Sequence, residues 1–395
     1  MRLIFVNRFY WPETPATGQL LTDLAEGLAA NGHEITIVTS HSGQADVPCG
    51  ETRNGIRIWR VRSTRWARAL TAGKAIDFAT FLVAALWRLW SEARRGTTVI
   101  AMTDPPLLGI GACLAAQMRH ARMIHWVQDI YPELAIELTG HRWLAPIKPL
   151  RNLAWRCADR CVTLGRDMAA VLTGVGVGAN RLCIIPNAAP AGLVAERLPG
   201  AADLRTEWAL DGKFVVAYSG NLGRVHDLEP VVEVADFLRH SPDIAFVFIG
   251  DGAQRPALER EVARRRLPNV QFRPAQPRAR LSEALALGNV HLVTLRPGCE
   301  HYVFPSKFYG IVAAGRPVIY IGPVRCELAQ IVTGNGLGLV FARDETEPLA
   351  AALRTLATDP QRCLQFATAA GRFAAGETAR AVPRWCGLLS GLEAC

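Results

Sequence analysis

The chain has 395 residues, 50% hydrophobic and 20% charged, with 34 Gly and 24 Pro, enough to bury more than one core. Disordered and low-complexity classes are excluded, and two domains are expected. Ten scattered cysteines form no C-x-x-C pair and no Cys/His cluster at zinc spacing, the usage of a reduced cytosolic protein without a metal site. A formal net charge of +9 points to phosphate-rich partners.

Arg2 to Asn7 reads as a buried strand, and its apolar part, Leu3 to Val6, is too short for a signal-peptide core. A Pro- and Gly-containing loop, Trp11 to Gly18, leads to a helix predicted over Gln19 to Asn31, with Leu20, Leu21, Leu24 and Leu28 at helical spacing. Thr17 is placed to cap its start and Gly32 to close its end in a left-handed conformation. Glu34 to Thr39 is a second strand, so the unit is a parallel pair with a right-handed crossover. Between Glu51 and Asp77 lie seven basic residues (Arg53, Arg57, Arg60, Arg62, Arg65, Arg68 and Lys74) and no acidic one. Further strands at Val99 to Met102, Met123 to Val127 and Cys161 to Leu164 alternate with helical patterns and complete a doubly wound α/β domain. The longest apolar runs, Phe78 to Trp87 and Leu107 to Ala116, are about ten residues, half of what a membrane span needs.

The pattern lapses over Ala188 to Ala202, the expected linker. It restarts with strands at Phe214 to Ser219, Phe246 to Gly250, Val270 to Phe272, Val290 to Leu295 and Pro317 to Ile321, interleaved with helices such as Glu229 to Leu238 and Gln254 to Arg265. The reading is therefore two Rossmann-like doubly wound parallel-sheet domains, 1–195 and 205–375, facing across a cleft. A helical segment over 376–395 docks back on the first domain. Open sheets of this kind bind ligands at the carboxyl ends of their strands.

Three loops carry chemistry. Thr14 to Gly18 places backbone N–H groups at a helix start, an anion site in principle and an ordinary turn otherwise. Ser219-Gly-Asn-Leu-Gly-Arg224 follows the first strand of the second domain, where small residues admit a ligand to the backbone and Arg224 offers a fork of donors. Phe304-Pro-Ser-Lys307 puts a lysine and a hydroxyl before a helix; the plain alternative for Lys307 is a solvated helix-start residue. Gly109-Ile-Gly111 lacks both the third glycine and the acidic residue of a dinucleotide fingerprint, so no nicotinamide or flavin cofactor is expected.

These loops, with WVQDIYPE (Trp126 to Glu133), IIPNA (Ile184 to Ala188), YSGNLGRVHDLE (Tyr218 to Glu229), FIGDG (Phe248 to Gly252) and FPSKFYGIVAAGRPVIY (Phe304 to Tyr320), occur in an order and spacing that resemble one family. The chain resembles the retaining glycosyltransferases of family 4, with the GT-B fold, and within them the bacterial polysaccharide and O-antigen enzymes of the colanic-acid and N-acetyl-fucosaminyl type. The resemblance implies that Thr17 and Gly18 approach the donor diphosphate. It implies that Gly220, Asn221, Arg224, Ser306 and Lys307 bind the donor from the second domain, with Asn221 and His226 at the positions of the wider family's basic pair. Arg273 and Pro274 match the segment that reads the nucleotide base. The family's two glutamates fall at Tyr302 and Gly310, so the pair is missing here and Glu300 stands nearest to the first.

Such chemistry needs cations at the leaving diphosphate and positioning groups, rather than a strong nucleophile. Arg224 and Lys307 supply the cations; with no D-x-D sequence, a metal-independent enzyme is expected, with the nucleotide-sugar, UDP-linked, as substrate and no cofactor. Asp129 and Glu133 are the candidates for orienting the acceptor or accepting its proton, against the alternative of a helix cap and a surface acid. Arg57, Arg60, Arg62, Arg65 and Arg68, with Trp59, Trp66, Trp87 and Trp90 nearby, fit an anionic membrane surface better than nucleic acid. The expectation is a cytoplasmic enzyme, peripheral on the inner face of the membrane, acting on a lipid-linked or membrane-associated glycan. The alternatives are a weakened nucleotide-sugar-binding partner subunit and an epimerase on the same fold.

Overall fold

The structure is a computed structural model that describes residues 1–13, 15–43, 47–64, 71–193 and 199–393. It divides into two compact units: Met1–Asn187 with His301–Phe304 and the segment from Arg380 onward, and Ala188–Glu300 with Pro305–Ala379.

In the first unit the chain runs β1 (Arg2–Val6), α1 (Ala16–Ala30), β2 (Glu34–Ser40), β3 (Gly50–Arg53), β4 (Ile56–Val61), α2 (Thr71–Glu92) and β5 (Thr97–Ala101). It continues through α3 (Leu108–Met118), β6 (Arg122–Trp126), α4 (Glu133–Thr139), α5 (Lys148–Cys157), β7 (Arg160–Thr163), α6 (Arg166–Gly174) and β8 (Leu182–Ile184). The sheet order is β3-β4-β2-β1-β5-β6-β7-β8, parallel except for the β3–β4 hairpin. Winding proceeds outward from β1 in both directions. Right-handed crossovers therefore put α1 on one face and α2, α3, α5 and α6 on the other.

Leu3, Phe5, Ile35 and Ile37 face the α1 side of this sheet, where Leu21, Leu24 and Leu28 of the helix meet them. The predicted helix starts earlier than its leucine spacing indicates, because Pro15 ends the loop and Ala16 already belongs to the first turn. Thr17 is thus inside the helix, and no side chain caps α1. Gly32 is left-handed, with φ of +84°. Gly18 packs closely: a Cβ there would stand 3.1 Å from the Phe9 backbone, a tight contact.

The basic stretch is mostly a folded hairpin, with its acids supplied from elsewhere in the sequence. Arg53 pairs with Glu26 at 2.8 Å and lies 4.2 Å over the Trp11 ring, and Arg57 pairs with Glu34. Arg60, expected at a membrane surface, has a side chain only 2% exposed and binds Glu51 at 2.6 Å and the carbonyl of Trp11 at 3.0 Å. Pairing across two strands buries it. Arg62 is exposed, whereas Arg65, Trp66 and Arg68 lie outside the described residues.

The second unit runs α7 (Pro199–Glu207), β9 (Phe214–Ser219), α8 (Glu229–Phe237), β10 (Ile244–Ile249), α9 (Arg255–Arg265), β11 (Val270–Arg273), α10 (Leu281–Ala286) and β12 (Val290–Thr294). Then come α11 (Lys307–Ala313), β13 (Val318–Ile321), α12 (Glu327–Gly334), β14 (Gly338–Phe341), α13 (Thr346–Thr358) and α14 (Pro360–Glu393). All six strands are parallel in the order β11-β10-β9-β12-β13-β14, with Val216, Tyr218, Phe246 and Phe248 in the core. The segment expected as a separate helix over 376–395 is instead the later part of the 34-residue α14, with Pro383 inside it. Its last turns belong to the first unit, where Trp385 meets Trp126 edge-on at 5.1 Å and Val382 covers Gly27.

Candidate functional site

The second unit gathers its loops at the carboxyl ends of β9 and β10. Gly220 and Gly250 have φ of +135° and +139°, and a Cβ on Gly250 would fall 2.1 Å from the Gly220 carbonyl oxygen. Only glycine lets these strand ends meet so closely. The loop is then fastened by Gly220 N–H to Ile249 O (2.9 Å) and Leu222 N–H to Asp251 O (2.8 Å). The Gln254 amide also donates to the carbonyls of Gly223 and His226, at 2.5 and 2.7 Å.

Lys307, the first residue of α11, reaches into this loop. Its ammonium donates to the Tyr218 hydroxyl and lies 3.6 Å from the centre of the Tyr218 ring; the hydroxyl in turn donates to Asn221 O at 2.9 Å. A Cβ on Gly220 would touch Lys307 Cε at 3.4 Å. Among the described residues no carboxylate stands beside this ammonium, and burial holds its pKa well below the ordinary lysine value. His226 Nδ1 lies 2.7 Å from the Thr294 carbonyl and so carries the proton; burial, then the Lys307 charge, push its pKa down to about 3 and keep the ring neutral. A half-buried cation with no counter-ion among the described residues, beside a hydrogen-bonded glycine loop, is a site prepared for an anion.

The remaining donor candidates are less alike. Asn221 and Arg224 are exposed on the same loop, Arg224 with no ion pair among the described residues. Ser306 precedes α11 without capping it, and Glu300 is half-buried on the segment after β12. The Arg273 side chain is already engaged with Gln271 at 2.9 Å and with the Trp208 ring at 5.3 Å, while its carbonyl takes the Gly250 N–H at 3.1 Å. Pro274 is exposed beside it. At Gly310 a Cβ would meet Leu285, Leu193 and Pro190 at 3.7–3.9 Å, so no steric rule demands glycine there. Thr17 and Gly18 belong to the other unit.

In the first unit, β5 and β6 are neighbours, and an acid stands just beyond the end of each, Asp104 and Asp129. Thr103 Oγ1 accepts the N–H groups of Gln128 (3.3 Å) and Asp129 (3.1 Å), and Asp129 pairs antiparallel with Val303. Asp129 lines a small pocket with His125, Tyr131, Arg151 and Trp155 among its walls. Burial and then the neighbouring Asp104 push the Asp129 pKa up to about 7; burial pushes Asp104 to about 6 against the pull of Arg8. The acid therefore changes charge near neutrality, the property of a proton-exchanging group.

Glu133 does not share that property. Arg151 grips both its oxygens at 2.7 and 2.8 Å and also binds the Tyr131 carbonyl at 2.6 Å. Burial pushes the Glu133 carboxyl up, but Arg151 outweighs this and holds it below the ordinary range. Glu133, expected to act on the acceptor, instead has both oxygens engaged in the ion pair that shapes the pocket. Glu133→Gln is expected to destabilise the fold by roughly 1.5–3 kcal/mol, the scale of a hydrogen bond to a charged group, as read from denaturant unfolding near neutral pH. Because the folded-state pKa is lowered, this contribution is present above the unfolded pKa and fades as pH falls through the folded one, so variant and wild type should converge in acid.

Two family profiles match the chain. One, described as "Glycosyl transferase 4-like domain", covers residues 17–188, and one described as "Glycosyl transferases group 1" covers residues 213–359. The chain is similar to the putative colanic acid biosynthesis glycosyl transferase WcaI of Escherichia coli (strain K12), with 27% identity over 373 residues, 90% of this chain and 91% of that protein. It is similar to the probable glycosyltransferase WbjE of Pseudomonas aeruginosa, with 30% identity over 283 residues, 69% of this chain and 68% of that protein. Among solved structures, sucrose-phosphate synthase from Thermosynechococcus elongatus superposes with a TM-score of 0.78 at 16% identity, covering 100% of this chain and 99% of that one. HepE of Anabaena in complex with UDP-glucose superposes at 0.74 and 14% identity, covering 99% and 100%. With its two doubly wound units, the chain belongs to the GT-B glycosyltransferases of family 4, built from a 4-like domain and a group 1 domain.

Proposed function

We propose that the protein is a retaining, metal-independent glycosyltransferase. It takes a hexosyl or N-acetylhexosaminyl group from a UDP-linked donor held by the second unit. The sugar passes to a lipid-linked or membrane-associated glycan in surface polysaccharide synthesis. The observation that carries the donor half is Lys307, a half-buried ammonium beside the Gly220 loop with no carboxylate partner among the described residues. A donor diphosphate supplies the missing charge, with Arg224 free to close on its outer oxygens. As the glycosidic bond breaks, negative charge grows on the leaving diphosphate, where these two side chains stabilise it. Asp129 accepts a hydrogen bond from the acceptor hydroxyl, orients it and takes up its proton as the new glycosidic bond forms. The UDP-glucose complex of HepE and the colanic acid name of WcaI support the choice of nucleotide and pathway class. No helix among the described residues is long and apolar enough to cross a membrane, which is compatible with a peripheral enzyme.

A thermal-shift screen of UDP-, GDP- and dTDP-sugars tests this reading. UDP-sugars should raise the unfolding temperature most, corresponding to about 2.7 kcal/mol at a hundredfold excess over Kd. Turnover of the stabilising sugar should persist in excess EDTA. Stabilisation by no nucleotide-sugar, or turnover abolished by EDTA and restored by Mg²⁺, would contradict the donor assignment and its metal independence respectively.

A further inference from the structure

Within the apolar and basic stretch over residues 53–95, Arg53, Arg57, Arg60 and Arg88 are held in ion pairs. Exposed apolar side chains lie instead on the outer faces of α2, α3 and α5. Trp87 is 76% exposed and Val83 71%, one turn apart on α2. Leu114 (59%) and Met118 (57%) repeat the spacing on α3, and Leu150 and Leu153 on α5, with Trp143 (73%) just before it.

These helices touch one another in sequence. Leu86 of α2 lies so close to Gly111 of α3 that a Cβ there would be 2.5 Å from it, Arg119 reaches back over the Trp90 ring at 5.3 Å, and Cys113 Sγ contacts Ala154 O of α5 at 3.6 Å. The exposed apolar groups therefore share one face of the first unit, and α3, LGIGACLAAQM, contributes no charge at all. Isolated exposed leucines need no explanation, but a row of this extent, with two tryptophans, marks an interaction surface.

The surrounding charge selects the partner. Between Phe78 and Ala158 there are nine Lys or Arg against five Asp or Glu. Of the five acids, Glu92 and Glu133 are paired with arginines, and Asp104 and Asp129 sit at the ends of β5 and β6, which leaves Glu137. Helices in parallel crossovers run against their strands, so the ends of α2, α3 and α5 line one edge of the sheet. That edge carries exposed Arg94, Arg95, His120 and Arg156, and none of the three arginines forms an ion pair among the described residues. A second protein of this chain would bring the same positive charge to the contact and be repelled.

We propose that the α2–α3–α5 face docks on an anionic lipid bilayer, with Trp87, Leu114 and Met118 entering the interfacial region and Arg94, Arg95 and Arg156 meeting the head-group phosphates. This rests on the proposed membrane-associated acceptor, and it moves the docking surface away from Arg57, Arg60 and Arg62.

Co-sedimentation of the full chain with vesicles of equimolar phosphatidylcholine and phosphatidylglycerol, and with phosphatidylcholine alone, is the test. Wild type should bind the anionic vesicles and release as salt rises. Joint replacement Trp87→Ser, Leu114→Ser and Met118→Ser should weaken binding by roughly a hundredfold, because three exposed apolar side chains lose their burial in lipid. Arg94→Gln with Arg95→Gln and Arg156→Gln should weaken it roughly tenfold to a hundredfold and flatten the salt dependence. Arg57→Gln with Arg62→Gln should leave it unchanged. All these side chains are exposed or on the surface, so thermal unfolding should be unaltered. Undiminished binding by the apolar variant, equal binding to neutral vesicles, or a concentration-dependent dimer that the apolar variant abolishes while no vesicle binds, would each overturn the proposal. Donor hydrolysis in solution is read in parallel: it should be unchanged in the apolar variant. If wild type docks through this face but turns over no donor, the docking surface stands and the transferase reading falls.

Discussion

Asp129→Asn is expected to lower glycosyl transfer by about 10²–10⁴, the usual worth of a positioned proton-exchanging group, while leaving donor affinity unchanged. The carboxylate lines a first-unit pocket, and its pKa of about 7 reflects burial first and the Asp104 charge second. A protonated acid cannot take the proton of the acceptor's hydroxyl, so turnover should rise with pH through about 7 as Asp129 ionises. Asn at this position has no such transition, and the residual activity should lose that limb. Asp104→Asn provides a second reading, because removing the like charge lowers the Asp129 pKa and shifts the limb toward acid. A purely structural role for Asp129 would move none of these pH profiles.

Lys307→Met should weaken donor binding by about 2–5 kcal/mol, the cost of removing one partner from a buried charge pair, with transfer falling at least as much. Burial depresses the pKa in the empty site, and an arriving diphosphate raises it again. Between the free and the bound pKa, binding takes up a proton. Affinity is accordingly highest below the free-site pKa and falls as pH rises toward the bound one. Calorimetry of UDP binding in buffers of different ionisation enthalpy measures this uptake directly; in Lys307→Met it should vanish. Uptake that persists in the variant would place the titrating group elsewhere.

The alternation of short apolar runs with helical spacing made both doubly wound sheets legible, because buried parallel strands read as continuous Val/Ile/Phe segments such as Phe214 to Ser219. What escaped was local and paired. The β3–β4 hairpin has alternating Arg and Ile whose charges are answered by Glu26 and Glu34, distant in sequence, so the run looked like a free cationic face. β8 and β14 are short edge strands with weak patterns. In the site, Lys307 and the glycine loop were visible as motifs, but Tyr218, which receives the ammonium, is an ordinary strand residue by sequence. Asp104 was overlooked although it stands, like Asp129, just beyond the end of its strand; only the β5–β6 adjacency makes the two a pair. Glu133 was legible as an acid and illegible as a bound one, since Arg151 lies on a later helix.

The claim on which the rest depends is that the donor diphosphate sits over the Gly220 loop against Lys307. Amide hydrogen exchange with and without saturating UDP measures that claim most directly, because ordering of a loop by a ligand slows exchange where the ligand binds. Protection is expected over Ser219 to Arg224 and over the start of α11 from Ser306, and Lys307→Met should erase it. Saturation confirmed by calorimetry, with protection confined to the first unit around Thr17 and Gly18 and none at these two segments, would contradict it.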